Sequence, residues 1–279
     1  MGWLVLAFFV VAFAGLLGWR IMSGRRKPGY FAIVEYWIYS DAERLPPTPA
    51  LMDGIVSRSP HSKPNQPSIT AREGILFSDL RLHIALAKRE KNPHAFRPDL
   101  FEEHAVPDAD ILQRLADSKA ITKIQYASEV PLKDGRHLQF VTHLVESLAR
   151  TSKARLIFDT VAERFWIPEQ LFDALQKDNN AERADLHLRV VWQKTVDGCR
   201  AQTLGLKKIG RQELQTSLQE VDQEVIVVGL VELAAQSLFI DPQRALPIEV
   251  KQHGDTFIVS EESAKDGFTQ IKLTRRMFV

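Results

Sequence analysis

Histidine is the commonest metal ligand and acid-base group in proteins, so the eight histidines of this chain are the first place to look for chemistry. His94 and His104 flank Glu102 and Glu103 in a proline-containing loop, a grouping that could hold a metal ion or move protons. Its spacing matches neither HExxH nor a Cys/His zinc pattern, and a solvated loop accounts for it more simply. His137 and His143 are six residues apart, about 600° around a helix, and so face different sides. His187 falls on the polar side of an alternating segment and needs no special role. A nucleophilic Cys199 would require a histidine partner, and a small apolar residue beside a turn is the plainer reading. Asp159, Glu163 and Glu169 could furnish paired carboxylates, but a hairpin turn and a helix start explain all three. Gly205-Leu-Lys-Lys-Ile-Gly210 has two glycines and two lysines in neither the GxxxxGKS/T nor the GxGxxG arrangement, which predicts a turn with a basic edge. No metal site, no cofactor and no named reaction follow from these residues.

The elements that must carry them are legible from periodicity. Tyr30 to Tyr39 is aromatic and β-branched, as a strand requires, and Ile121 to Ser128 reads the same way. Pro49 to Val56 is expected as a short helix and Ser57 to Ser68 as a Ser/Pro-rich loop, while Ile75 to Ala87 fits a bent strand or a strand and a short helix. Asp108 stands as the N-cap of a helix through Ile111, Leu112 and Leu115. Val141, Leu144, Val145 and Leu148 recur at helical spacing over Leu138 to Arg150. A hairpin is expected around Thr160 to Glu163, then a helix with Pro168 in its first turn. Leu186 to Trp192 alternates as a strand, Asp197-Gly198 marks a hairpin, and Cys199 to Leu206 returns. Glu224 to Phe239 reads as a buried helix, and Ile248 to Val259 and Phe268 to Phe278 as closing strands. The order predicts an α+β body at 28–279, helices on a largely antiparallel sheet, with a candidate subdivision near 178–184.

Ahead of this body, Trp3 to Met22 is an apolar run of twenty residues interrupted only by Arg20, about 30 Å of helix and enough to span a bilayer. Trp3 and Trp19 sit where indoles favour the interface, and Arg20 can snorkel to the headgroups. Ala12-Phe13-Ala14 has the form of a signal-peptidase site, but no Lys or Arg precedes the run and the charges follow it. An uncleaved single-pass anchor at 1–27 is therefore expected. Arg20, Arg25, Arg26 and Lys27 on its carboxyl side place the body in the cytoplasm at the inner membrane, and a lone cysteine suits a reducing compartment. Without those four charges the chain keeps 32 Lys and Arg against 35 Asp and Glu. A body with that slightly acidic balance and no basic stripe is not expected to bind nucleic acid.

Tyr36, Trp37, Tyr39, Phe165 and Trp166 are residue types enriched in binding hot spots, so Tyr36, Trp37 and Trp166 are candidate partner-binding residues; a sheet covered on both faces would instead bury them. Val106 to Phe172, with its Asp turn and Phe-Trp pair, and Thr203 to Leu214, with Gly-Leu followed by Gly and Glu-Leu, resemble uncharacterised bacterial domains of unknown function. That resemblance implies a bacterial α+β protein and carries no catalytic residue over. The expected function is a protein-binding or accessory module at the bacterial inner membrane, which requires an exposed apolar or aromatic patch. The alternative, an enzyme with an unrecognised active site such as a hydrolase, requires that several of His94, Glu102, Glu103, His104, Asp159 and Glu163 converge on a pocket.

Overall fold

Alternation along β1 (Ala32–Ser40) sends Val34, Tyr36 and Ile38 into the core on one face and Trp37 and Tyr39 to the other, which places this strand at the centre of a sheet. The computed structural model describes residues 31–47, 51, 80–101, 107–128, 131–132, 134–176, 179–265 and 267–276, and Phe31–Val279 forms one compact unit. The first sheet runs β2 (Leu80–Lys88), β3 (Ala120–Ser128), β1, β4 (Leu156–Asp159), β5 (Arg164–Trp166), with every neighbouring pair antiparallel. Its Trp37 and Tyr39 face is closed by the 3₁₀ segments Pro93–Phe96 and Pro98–Phe101 and by α1 (Ala109–Asp117), through Phe96, Phe101 and Leu115. Asp108 caps α1 as expected, its carboxylate accepting the Ile111 N–H at 2.9 Å. The other face is closed by α2 (Arg136–Thr151), whose Leu138, Val141, Leu144, Val145 and Leu148 form the predicted apolar stripe.

After α3 (Pro168–Ala174) and the short α4 (Ala184–His187), a second sheet runs β6 (Arg189–Thr195), β7 (Gly198–Leu204), β8 (Glu213–Thr216), β11 (Phe268–Arg275), β10 (Asp255–Lys265), β9 (Ile248–Gln252). All its pairs are antiparallel except β8 with β11. One face packs on α5 (Glu224–Ile240), which touches β6 and β7 near one edge and β9 at the other. Val227, Leu230, Val231, Ala234 and Leu238 of α5 are buried there, and one apolar core runs through both sheets.

The architecture is α+β, but with two sheets where one was expected. Leu186 to Leu188 do not begin a strand: they close the helical turn of α4, because the chain bends there to seat His187 against Asn180 and Phe239. Ile248 to Val259 is two strands, broken at His253-Gly254, where both residues adopt positive φ. Strand β8, four residues long, carries no periodicity of its own and was not foreseen. The expected helix at Pro49 to Val56 and the loop at Ser57 to Ser68 lie outside the described residues, Leu51 apart. So does the apolar run with Trp3, Trp19, Arg20, Arg25, Arg26 and Lys27; among the described residues no helix is long and apolar enough to cross a membrane.

Candidate functional site

The two sheets are clamped through the segment Gly205–Gly210. Gly205 has φ +118°, and a Cβ there would lie 2.1 Å from the His187 carbonyl; at Gly210, φ +81°, it would lie 2.6 Å from the Phe31 carbonyl. Only glycine permits both approaches, and between them the 3₁₀ turn Leu206–Ile209 pushes Lys208 into the first sheet. The wholly buried Lys208 ammonium donates to the equally buried Asp159 carboxylate at the end of β4 and lies 5.4 Å from the centre of the Tyr36 ring. Tyr36 shares the Asp159 carboxylate, and burial with that negative neighbour pushes its phenol well above the usual range. Burial likewise lowers the Lys208 ammonium from its ordinary value, opposed by Asp159.

The same turn is held from both sides. Glu213 accepts from the Gly205, Leu206 and Lys207 N–H groups at 2.9–3.2 Å and from the Thr203 hydroxyl at 2.7 Å. Burial pushes its carboxyl up, and those four donors hold it back. His137 donates through Nε2 to the Lys208 carbonyl at 2.7 Å and stacks on Tyr126, and burial lowers its pKa to about 4. His187, fully buried, donates to the Asn180 carbonyl at 2.9 Å and is also lowered by burial and by Lys208. Apart from the His187 Nδ1, which is buried without a hydrogen-bond partner, these groups bond to one another and to backbone in a buried cluster that clamps the two sheets together.

This corrects several expectations. Gly205 to Gly210 is a turn whose Lys208 points inward, leaving only Lys207 on its basic edge. His187 lies in the core, not on the polar side of a strand. Tyr36 is buried and offers no ring to a partner; Tyr39 is buried too, under Phe96. Trp37 is half-buried, its indole N–H donating to Glu35 at 2.5 Å with the Lys123 ammonium 4.0 Å above the ring. Trp166 is half-buried beside the Arg164 guanidinium at 5.2 Å. His94 is exposed on a 3₁₀ turn while Asp159 is buried in the clamp, so the two do not converge; Glu102, Glu103 and His104 lie outside the described residues. Cys199 is a buried thiol in β7, and among the described residues no group of three His, Cys, Asp or Glu is placed to hold a metal.

The site that sequence reasoning missed lies at the start of the second sheet. Strand β6 is its edge, and among the described residues no strand pairs with its outer side. In the hairpin Thr195 pairs with Gly198 across the two-residue turn Val196-Asp197, so Arg189, Val191, Gln193 and Thr195 exchange hydrogen bonds with β7. Val190, Trp192 and Lys194 then turn their backbone N–H and C=O groups to the open edge. The parity agrees with β7, where the partners Cys199 and Ala201 send their N–H groups away from β6, to Gln219 at 3.1 Å and Thr216 at 3.0 Å. All seven residues of β6 line a trough of about 1010 Å³ that extends to Glu224 at the head of α5.

The two sides of this edge differ. On one, Arg200 bridges its neighbours, donating to the Gln193 amide oxygen at 3.1 Å and to the Gln215 amide oxygen at 3.5 Å, and Gln202, Gln215 and Gln270 continue an amide ladder across the sheet at 2.7–3.1 Å. On the other, Val190 and Trp192 join the core that holds α5, and the head of that helix exposes Val225 (75%) and Ile226 (48%) beside Glu224. Farther along α5, Leu233 and Ile240 are exposed as well. The Trp192 indole N–H is buried without a hydrogen-bond partner, a donor left over at this edge. No family model, curated protein sequence or solved structure matches this chain.

Proposed function

We propose that this chain is a membrane-tethered module that binds another protein, its body held on the cytoplasmic side of a bacterial inner membrane by the apolar run at 3–22. The observation that carries the reading is the open edge of β6, whose trough runs on to the exposed Val225 and Ile226 at the head of α5. Backbone groups left unpaired along an edge strand, next to exposed aliphatic side chains, are what a partner chain covers. The tether is supported by the length of the apolar run, the indoles at Trp3 and Trp19, and the charges Arg20, Arg25, Arg26 and Lys27 on one flank.

The test is mass spectrometry of what co-purifies with the full chain from gently solubilised membranes, beside a body detached from residues 1–27 and an Ile226→Glu variant. A near-stoichiometric protein retained by both full chain and body, and lost from Ile226→Glu, is expected. Recovery of lipid and background alone overturns the reading. A reporter fused after Val279 should be active in the cytoplasm; activity only outside it overturns the orientation.

A further inference from the structure

We infer that the body rests on the bilayer surface through one apolar patch, Phe31 with Ile240, Pro242 and Leu132, its partner there being the lipid itself. The inference rests on the tethered reading above and says which face of the body meets the membrane. Eight residues, 23–30, separate the apolar run from Phe31, so the chain holds Phe31 within about 30 Å of the end of that run. The headgroup layer takes up about 5–7 Å of that reach. Whatever lies at the Phe31 end of the body is therefore kept at the membrane at high effective concentration, and a small patch suffices for contact.

Phe31 is 47% exposed, while its N–H donates to the Ser128 carbonyl at 2.8 Å and its own carbonyl lies against Gly210. The next residue, Arg211, donates to the Pro242 and Arg244 carbonyls at 2.9 and 2.8 Å, which ties the Phe31 end to the segment just beyond α5. Gln243 of that segment donates in turn to the Leu132 carbonyl at 3.2 Å. Ile240, the last residue of α5, is 61% exposed beside them, and Leu132 and Pro242 are half-buried. Nearby charges pair off, Arg136 with Asp134 and Arg211 facing Asp241 and Glu261, which leaves Arg244, a donor to the Ser237 hydroxyl at 2.7 Å. Burial of Phe31 and Ile240 in the interfacial layer, rather than attraction to anionic lipid, therefore holds the patch down. Ile226 lies 14 residues before Ile240 on α5, about 21 Å away, so lipid contact here leaves the partner-binding end of the helix free.

The test is photo-crosslinking of the wild-type full chain in phosphatidylcholine vesicles, doped with a phosphatidylcholine that carries a diazirine early in one acyl chain, with adducts mapped by mass spectrometry. Adducts are expected in residues 3–22, on Phe31 and across Ile240 to Pro242. Those outside the apolar run should exceed by at least about fivefold the adducts on the Val196 hairpin, which lies at the far end of β7 from the 205–210 turn. Phe31→Glu and Ile240→Glu, both at exposed positions, should each lower adducts at Pro242 about fivefold at unchanged Tm and leave those in 3–22 alone. If either variant lowers Tm, the wild-type adduct map decides. Adding phosphatidylglycerol should change the yield at Ile240 by less than about twofold, and a requirement for it overturns the apolar assignment. Adducts in 3–22 with none above the hairpin level at Phe31 or Ile240 overturn the inference and leave the tether standing. Absence of adducts from 3–22 overturns the tether, and the inference with it.

Discussion

The Lys208–Asp159 pair gives the sharpest quantitative expectation. Both side chains are wholly buried, and they join strand β4 of the first sheet to the turn between β7 and β8 of the second, 49 residues apart. Asp159→Asn keeps the shape and can still accept from the Val161 and Ala162 N–H groups at 3.1–3.2 Å, but leaves the Lys208 ammonium facing a neutral amide in a dry site. Lys208→Met leaves the Asp159 carboxylate unpaired in the same way. Removing one partner of a buried pair costs about 3–5 kcal/mol, whereas removing both charges avoids the uncompensated ion. Each single variant should therefore lose about 3–5 kcal/mol, and the double variant no more than the worse single, a coupling of at least about 3 kcal/mol. Urea unfolding at pH 7, followed by tryptophan fluorescence on wild type, both singles and the double, measures all four corners. Single costs under about 1 kcal/mol, or costs that simply add, would refute the clamp, since either result means the two charges are solvated or do not meet.

Three further outcomes follow from the same region. The folded pKa of His137 is about 4 against an ordinary 6.5, so the unfolded chain takes up its proton first as pH falls: stability should drop between pH 6.5 and 4 by about 3 kcal/mol, with His187 acting in the same direction, and a pH-independent urea midpoint would contradict this. Glu213→Ala strands three backbone donors, two buried and the Lys207 N–H part-buried, and should cost at least about 3 kcal/mol, while Glu213→Gln, which keeps an acceptor, should cost less; thermal and urea unfolding decide. Gly205→Ala meets the His187 carbonyl at 2.1 Å in a left-handed conformation and should lower soluble yield or Tm more severely than alanine at Gly254, where a Cβ meets nothing within 4 Å.

The elements that were legible are those whose signal is local. The i, i+3, i+4, i+7 stripe of α2, the Asp108 cap, Pro168 in the first turn of α3 and the alternation in β1 all express backbone periodicity against a polar or apolar surround, and each stands where the residues put it. The apolar run of α5 was also readable, though not its exposed Val225, Ile226, Leu233 and Ile240, because a helix that is apolar on nearly every side does not say which side the sheet covers. Strand β8 was invisible for the opposite reason: four residues carry too little pattern, and burial by β7 and β11 makes them a strand.

By itself the sequence determined an α+β body behind an apolar run with a basic flank, and a glycine-bracketed turn at 205–210. Tertiary structure alone decided that Lys208 turns inward to Asp159, that burial disfavours protonation of His137 and His187, and that Val190, Trp192 and Lys194 lie along a strand edge that no described strand pairs. A charge's fate depends on which distant residue is brought to it, and a strand's on whether a neighbour lies alongside. Both are fixed by pairings across tens of residues, to which local periodicity is blind.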